Sequence, residues 1–127
     1  MAEKAKILLI DDDYEYVDNF GKFLERRGYN VFKASNGSFG IEVAEKEKPH
    51  IILCDILMID IDGDEVLKRV KALSPDSIFI VVSSYVDEKV KEKFKKLGAH
   101  SFIEKIVLFK PTEEYIREVL KEQGVIK

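Results

Sequence analysis

Short apolar runs rich in Ile, Val and Leu alternate with longer segments whose apolar residues recur at helical spacing, and the alternation repeats five times along the chain. No other feature of the sequence limits the fold so tightly. The runs are Lys6 to Ile10, Tyr29 to Ala34, Ile51 to Cys54, Ile78 to Val82 and Ser101 to Ile103. The first, third and fourth are nearly continuous in hydrophobic residues, as strands covered on both faces by helices must be, so the pattern predicts a parallel sheet. Between them, Tyr14 to Arg27 places Val17, Phe20, Phe23 and Leu24 on one face and stops at Gly28, a residue able to adopt the left-handed conformation that ends a helix. Gly98 closes the segment Asp87 to Leu97 in the same way. Further helices are predicted over Phe39 to Lys46, Asp64 to Leu73 and Thr112 to Gln123, the last opening at Pro111 and Thr112.

The 127 residues suit one core, and residues 1–127 read as a single α/β domain, one doubly wound (βα)5 unit. Hydrophobic residues make up 46% and charged residues 35%, with both signs interspersed, a globular balance. A net charge of -3 gives no attraction to a polyanion, so direct contact with nucleic acid is not expected. The opening apolar run is too short for a signal peptide and no segment reaches the length of a membrane span, which predicts a cytoplasmic protein without membrane insertion. The single cysteine, Cys54, lies in an apolar run and reads as a small buried hydrophobe.

An open sheet of this kind binds ligands at the carboxyl ends of its strands. The first run ends in Asp11, Asp12 and Asp13, the third in Asp55, the fourth in Ser83 and Ser84, and the fifth runs into Lys105. Carboxylates about 4 Å apart repel by about 4 kcal/mol per pair at an effective dielectric near 20, so a positive group belongs among them. Magnesium is the economical choice, because it uses one or two carboxylates, keeps waters and takes phosphate oxygens, and Lys105 supplies a second positive charge. The turn after the first run carries aspartates where a dinucleotide fold or a P-loop needs its glycines. A divalent metal beside a carboxylate, a lysine and a hydroxyl suits phosphoryl transfer to a carboxylate nucleophile.

The stretches "ILLIDDD", "IILCDILMIDIDGDEVL", "IFIVVSSY" and "GAHSFIEK" resemble, in order and spacing, the four signature regions of the receiver domain of bacterial two-component response regulators, of the stand-alone, chemotaxis-regulator-like kind. The resemblance covers nearly the whole chain. It implies a flavodoxin-like fold with strand order 2-1-3-4-5 and makes Asp55 the phospho-acceptor. Asp12 would ligate Mg2+ directly, with Mn2+ as a substitute, and Asp11 directly or through water. Asp55 and the backbone carbonyl of Leu57 would complete the protein ligands. Ser83 would hydrogen-bond the phosphoryl group, Lys105 would pair with it, and the ring of Phe102 would follow phosphorylation. Leu57 and Tyr85, each two residues beyond a site residue, would flank the phosphoryl group and restrict water.

The implied function is a phosphorylation-dependent switch rather than a turnover enzyme: it accepts a phosphoryl group from a histidine kinase or phosphotransfer protein and catalyses its own transfer and dephosphorylation. With no output domain after Lys127, the signal is expected to pass through the fourth helix, fifth strand and fifth helix to an effector protein, from a monomer or a phosphorylation-dependent dimer. Two readings compete: a degenerate receiver acting as a scaffold without phosphorylation, and a small metal-dependent phosphatase.

The pattern breaks in three places. Lys105 is followed by Ile106, where the family has proline, while Lys110 precedes Pro111; choosing Lys110 would require an insertion in the fifth strand. A cis bond before isoleucine would cost about 3 kcal/mol, so the loop is either trans and differently shaped or strained. Ile59 stands where proline is common, and Ser83 where threonine is. Among the other acids, Asp62 with Gly63 reads as the turn into the third helix, Asp64 and Glu65 as first-turn acids favoured by the helix dipole, and Asp60 as solvated loop. Asp13 either completes the family's acidic run or faces water. His50 and His100, at predicted strand starts, read as surface histidines.

Overall fold

The computed structural model describes residues 4–84 and 86–127. Strands β1 (Lys6–Ile10), β2 (Asn30–Ala34), β3 (Ile51–Cys54), β4 (Ile78–Ser83) and β5 (Ser101–Glu104) alternate with helices α1 (Tyr14–Arg26), α2 (Gly37–Glu47), α3 (Gly63–Leu73), α4 (Glu88–Leu97) and α5 (Phe109–Glu122). The strands pair in parallel in the order β2-β1-β3-β4-β5, the flavodoxin-like order expected.

Period-two alternation divides the buried strand residues between two cores. Ile7, Leu9, Leu53, Ile80 and Val82 pack with Val17, Phe20 and Leu24 of α1 and Ile116 and Leu120 of α5. Leu8, Ile10, Ile52, Phe79 and Val81 face the other way, against Ile41 of α2, Val66 and Val70 of α3 and Phe94 of α4. Cys54 is buried in this second core, as its setting predicts, and burial pushes its thiol well above the usual range. The positive φ of Gly28 and Gly98 (97° and 109°) fits their helix-ending role.

Several boundaries and side chains differ from the sequence reading. Helix α5 begins at Phe109, not Thr112, with Leu108 at its N-cap. Pro111 fits inside the first turn because the N–H it lacks has no intrahelical partner there. Helix α2 begins at Gly37 because Asn36 accepts a bond from the Phe39 amide at 2.8 Å. Asp60 is more than a solvated loop acid: its two oxygens accept from the amides of Gly37 and Ser38, each at 2.9 Å, so a distant loop caps α2. Contacts with Ser38, side chain before amide, hold the Asp60 carboxyl far below the usual carboxylate range. His50 is half-buried rather than a surface residue, and its Nδ1 accepts from the Lys6 amide at 2.9 Å; His100 is exposed as expected. Strand β4 runs one residue further than predicted, to Ser83.

Candidate functional site

The sheet ladder continues one residue past three strand ends. The Asp11 amide donates to the Ala34 carbonyl at 3.1 Å, the Asp55 amide to Ile10 at 3.1 Å and the Lys105 amide to Ser83 at 3.0 Å. These bonds deliver an acid, an acid and a base to one edge of the sheet. The Lys105 ammonium lies 2.8 Å from Asp11 Oδ2 and 3.3 Å from Asp55 Oδ2. The other oxygens are held by backbone: Asp11 Oδ1 accepts from the Asp13 amide at 2.9 Å and Asp55 Oδ1 from the Ile56 amide at 2.7 Å. Each carboxylate therefore has one oxygen fixed and the other turned toward Lys105.

Asp11, Asp12 and Asp55 each offer a carboxylate oxygen, and the three lie within 4.8 Å of one another. An all-oxygen donor set of this kind fits a hard divalent cation. Burial raises the Asp11 carboxyl above its ordinary value; the Lys105 bond and the Asp13 amide oppose this, and the charge of Asp55 adds to it. Burial pulls the Lys105 ammonium down, but its bond to Asp11 and the charges of Asp11 and Asp55 outweigh that and leave it raised. Three acids around one lysine leave an excess of negative charge for a metal to neutralise.

Ser83 is buried at the end of β4, opposite Glu104 in the β4–β5 register. Phe102 pairs with Val81 and packs half-buried on the core beneath α2, α3 and α4. Leu57 is 71% exposed in the loop after β3, a loop braced by the Met58 amide on Asp62 (3.2 Å) and by the Gly63 amide on the Ile56 carbonyl (2.7 Å). Tyr85 lies outside the described residues. Lys110 is exposed and Lys105 is the lysine at the acids, as the spacing predicts. Every described peptide bond is trans, so the Lys105–Ile106 loop takes the first of its two expected forms.

Sequence reading missed one neighbour of the site. The ring centroid of Tyr16 lies 5.1 Å from the Lys105 ammonium. Tyr16 precedes the core residue Phe20 by one helical turn, toward the acidic strand tips, and that spacing was a usable signal.

Residues 7–119 match the response regulator receiver domain, and the chain belongs to that family. It is 32% identical over 94 residues to the sporulation initiation phosphotransferase F of Bacillus subtilis, covering 74% of this chain and 76% of that protein. It is also 32% identical over 101 residues to a cyclic di-GMP phosphodiesterase of Thermotoga maritima, covering 80% of this chain but only 27% of that protein. A crystal structure of a CheY-like response regulator receiver domain protein from Methanospirillum hungatei is similar with a TM-score of 0.92 at 31% identity, over 96% of this chain and 98% of that one. Family, fold and acidic cluster are together consistent with phosphorylation-dependent signalling. Among the described residues, no helix is long and apolar enough to cross a membrane.

Proposed function

We propose that the chain is a single receiver domain over residues 1–127 whose Asp55 accepts a phosphoryl group from the phosphohistidine of a kinase or phosphotransfer protein. The observation that carries this reading is the Lys105 ammonium shared between Asp11 Oδ2 and Asp55 Oδ2 at the tips of three strands. Asp11, Asp12, Asp55 and the Leu57 carbonyl would hold Mg2+, or Mn2+ in its place. When bound, the metal supplies positive charge to the transferring oxygens.

The Ile56 amide fixes Oδ1 of Asp55 and leaves Oδ2 to attack phosphorus. As the O–P bond forms, the P–N bond breaks and its electron pair stays with the imidazole. Lys105 and the Ser83 hydroxyl then bind phosphoryl oxygens. The movement of Ser83 frees space for the Phe102 ring, and the face formed by α4, β5 and α5 changes for an effector protein. Leu57, exposed in the loop after β3, flanks the phosphoryl group and slows its hydrolysis. The protein acts in the cytoplasm, as a monomer or as a dimer formed on phosphorylation, and carries out its own transfer and dephosphorylation without turning over an external substrate.

Incubation with acetyl phosphate and Mg2+ tests the reading. One phosphoryl group is expected by intact mass, labile in alkali, dependent on the metal and mapped to Asp55 after borohydride reduction. No label, or a label elsewhere, defeats it; the first result would leave the scaffold reading, and sustained release of phosphate from small phosphomonoesters would favour the phosphatase.

Mg2+ should also stabilise the fold, with a pH dependence set by Asp11. Because burial raises this carboxyl in the folded state, the metal-free fold binds more protons than the unfolded chain and loses stability as pH rises from 3.8 through the raised value. Metal binding needs the deprotonated acid. At about 100 times its dissociation constant, Mg2+ adds about 2.7 kcal/mol, on the order of 10 °C in Tm. Melting curves across pH should show the gain full above the raised Asp11 value and shrinking as pH falls through it. A gain that persists unchanged in acid contradicts this assignment.

A further inference from the structure

The segment after Lys105 has little to hold it. Ile106 is 84% exposed and Leu108 74%, so two of the loop's three apolar side chains find little packing, and the Val107 amide makes a turn bond to the Glu104 carbonyl at 3.0 Å. Close packing resumes at Phe109, the first residue of α5. Its ring stacks on Phe20 at 4.8 Å and meets Phe23 at 5.7 Å and Tyr16 at 6.0 Å, and Tyr16 in turn lies 5.8 Å from Phe20. The far end of the loop is thus pinned into an aromatic cluster, one ring of which, Tyr16, also lies beside the Lys105 ammonium.

We propose that Tyr16 is a positioning residue for Lys105: its ring supports the ammonium from the α1 side and holds it over the strand tips, where the following loop packs only weakly. A cation within about 6 Å of an aromatic centroid is attracted by the ring quadrupole, more strongly when shielded from water. The Lys105 side chain is only 17% exposed. Its three partners differ in kind. Asp11 and Asp55 are charges that a metal or a phosphoryl group would change, whereas the ring is uncharged and sits on a packed helix. The ring is therefore the partner that stays constant between the free and phosphorylated site, and it preorganises the lysine for both.

This inference rests on the acceptor role proposed for Asp55, and its test separates the two. Rates of Mg2+-dependent labelling by acetyl phosphate are compared for Tyr16→Leu and Tyr16→Phe, each in the parent and in a Lys105→Met background, with NMR of the Lys105 ε-methylene protons alongside. Tyr16→Leu is expected to slow labelling about 3- to 10-fold, and Tyr16→Phe, which keeps the ring, to restore the parent rate within about twofold. In the Lys105→Met background Tyr16→Leu should have no further effect, because the tyrosine acts through the lysine. The ε-methylene protons should show an upfield ring-current shift in the parent and in Tyr16→Phe and lose it in Tyr16→Leu. Tyr16→Met carries the same expectations should the leucine variant fail to fold. Equal slowing in both backgrounds, or no ring-current shift in the parent, overturns the proposal. An unlabelled parent that keeps the shift overturns the acceptor role while supporting Tyr16 as the support of Lys105.

Discussion

Replacing Lys105 with methionine is expected to slow Mg2+-dependent labelling of Asp55 by about 100- to 1,000-fold, the usual loss when one donor to a developing oxyanion is removed. Methionine keeps much of the stem and removes the charge, so the fold of the loop is retained. The ammonium is shared by Asp11 at 2.8 Å and Asp55 at 3.3 Å, and without it these acids face each other uncompensated. Carboxylates about 4 Å apart repel by about 4 kcal/mol at an effective dielectric near 20, so the variant should also lean harder on Mg2+ for stability. Lys110→Met is the companion measurement. That lysine is exposed at the start of α5 and its loss should leave the labelling rate near the parent's. If Lys110→Met shows the large defect and Lys105→Met does not, the assignment of the lysine is wrong.

The lysine also illustrates what the sequence could carry. Its place was legible because parallel strand pairing is periodic: the residue after β5 emerges at the same edge of the sheet as the ends of β1 and β3, and a long lysine side chain can reach the acids there from beyond β4. For the same reason Asp11, Asp55 and Ser83 could be placed at strand tips without a neighbour being known. Contacts that depend on loop paths were not legible. Asp60 caps α2 from 22 to 23 residues away, and no local pattern encodes that approach. Tyr16 sits one turn before Phe20 and packs on the same core, which its spacing could have shown, but its approach to a lysine on another element has no local pattern behind it. The start of α5 was misplaced because Pro111 was read as a start signal for a helix over Thr112 to Gln123, while a helix tolerates proline anywhere in the first turn. Where backbone periodicity decides position, the sequence is informative; where a side chain bridges two loops, only the folded chain reveals it.

Gly63 is the position where a single methyl group should do most damage. A Cβ built there would lie 2.4 Å from the backbone carbonyl oxygen of Asp55 and 3.2 Å from Cα of Ile56. Both are main-chain atoms, so no rotamer change relieves the clash, and the segment that carries Asp55, the proposed acceptor, must shift. Overpacking of this kind costs typically about 1–3 kcal/mol and occasionally more, and the rigid neighbours put Gly63→Ala at the upper end. Gaining alanine in a helix returns about 1 kcal/mol at most, so the clash wins. Gly28 provides the contrast: its φ of 97° strains any side chain, yet nothing lies within 4 Å of the added carbon. Gly28→Ala should therefore cost about 1–2 kcal/mol through backbone strain alone and leave the site untouched. Urea midpoints and Mg2+ titrations of the two variants separate the cases: Gly63→Ala should lose both stability and metal affinity, since Asp55 and the Leu57 carbonyl move with the displaced loop, and Gly28→Ala only stability. Parent-like metal affinity in Gly63→Ala would mean that the loop after β3 absorbs the methyl group without moving the acceptor, against the close packing of Gly63 on the Asp55 carbonyl.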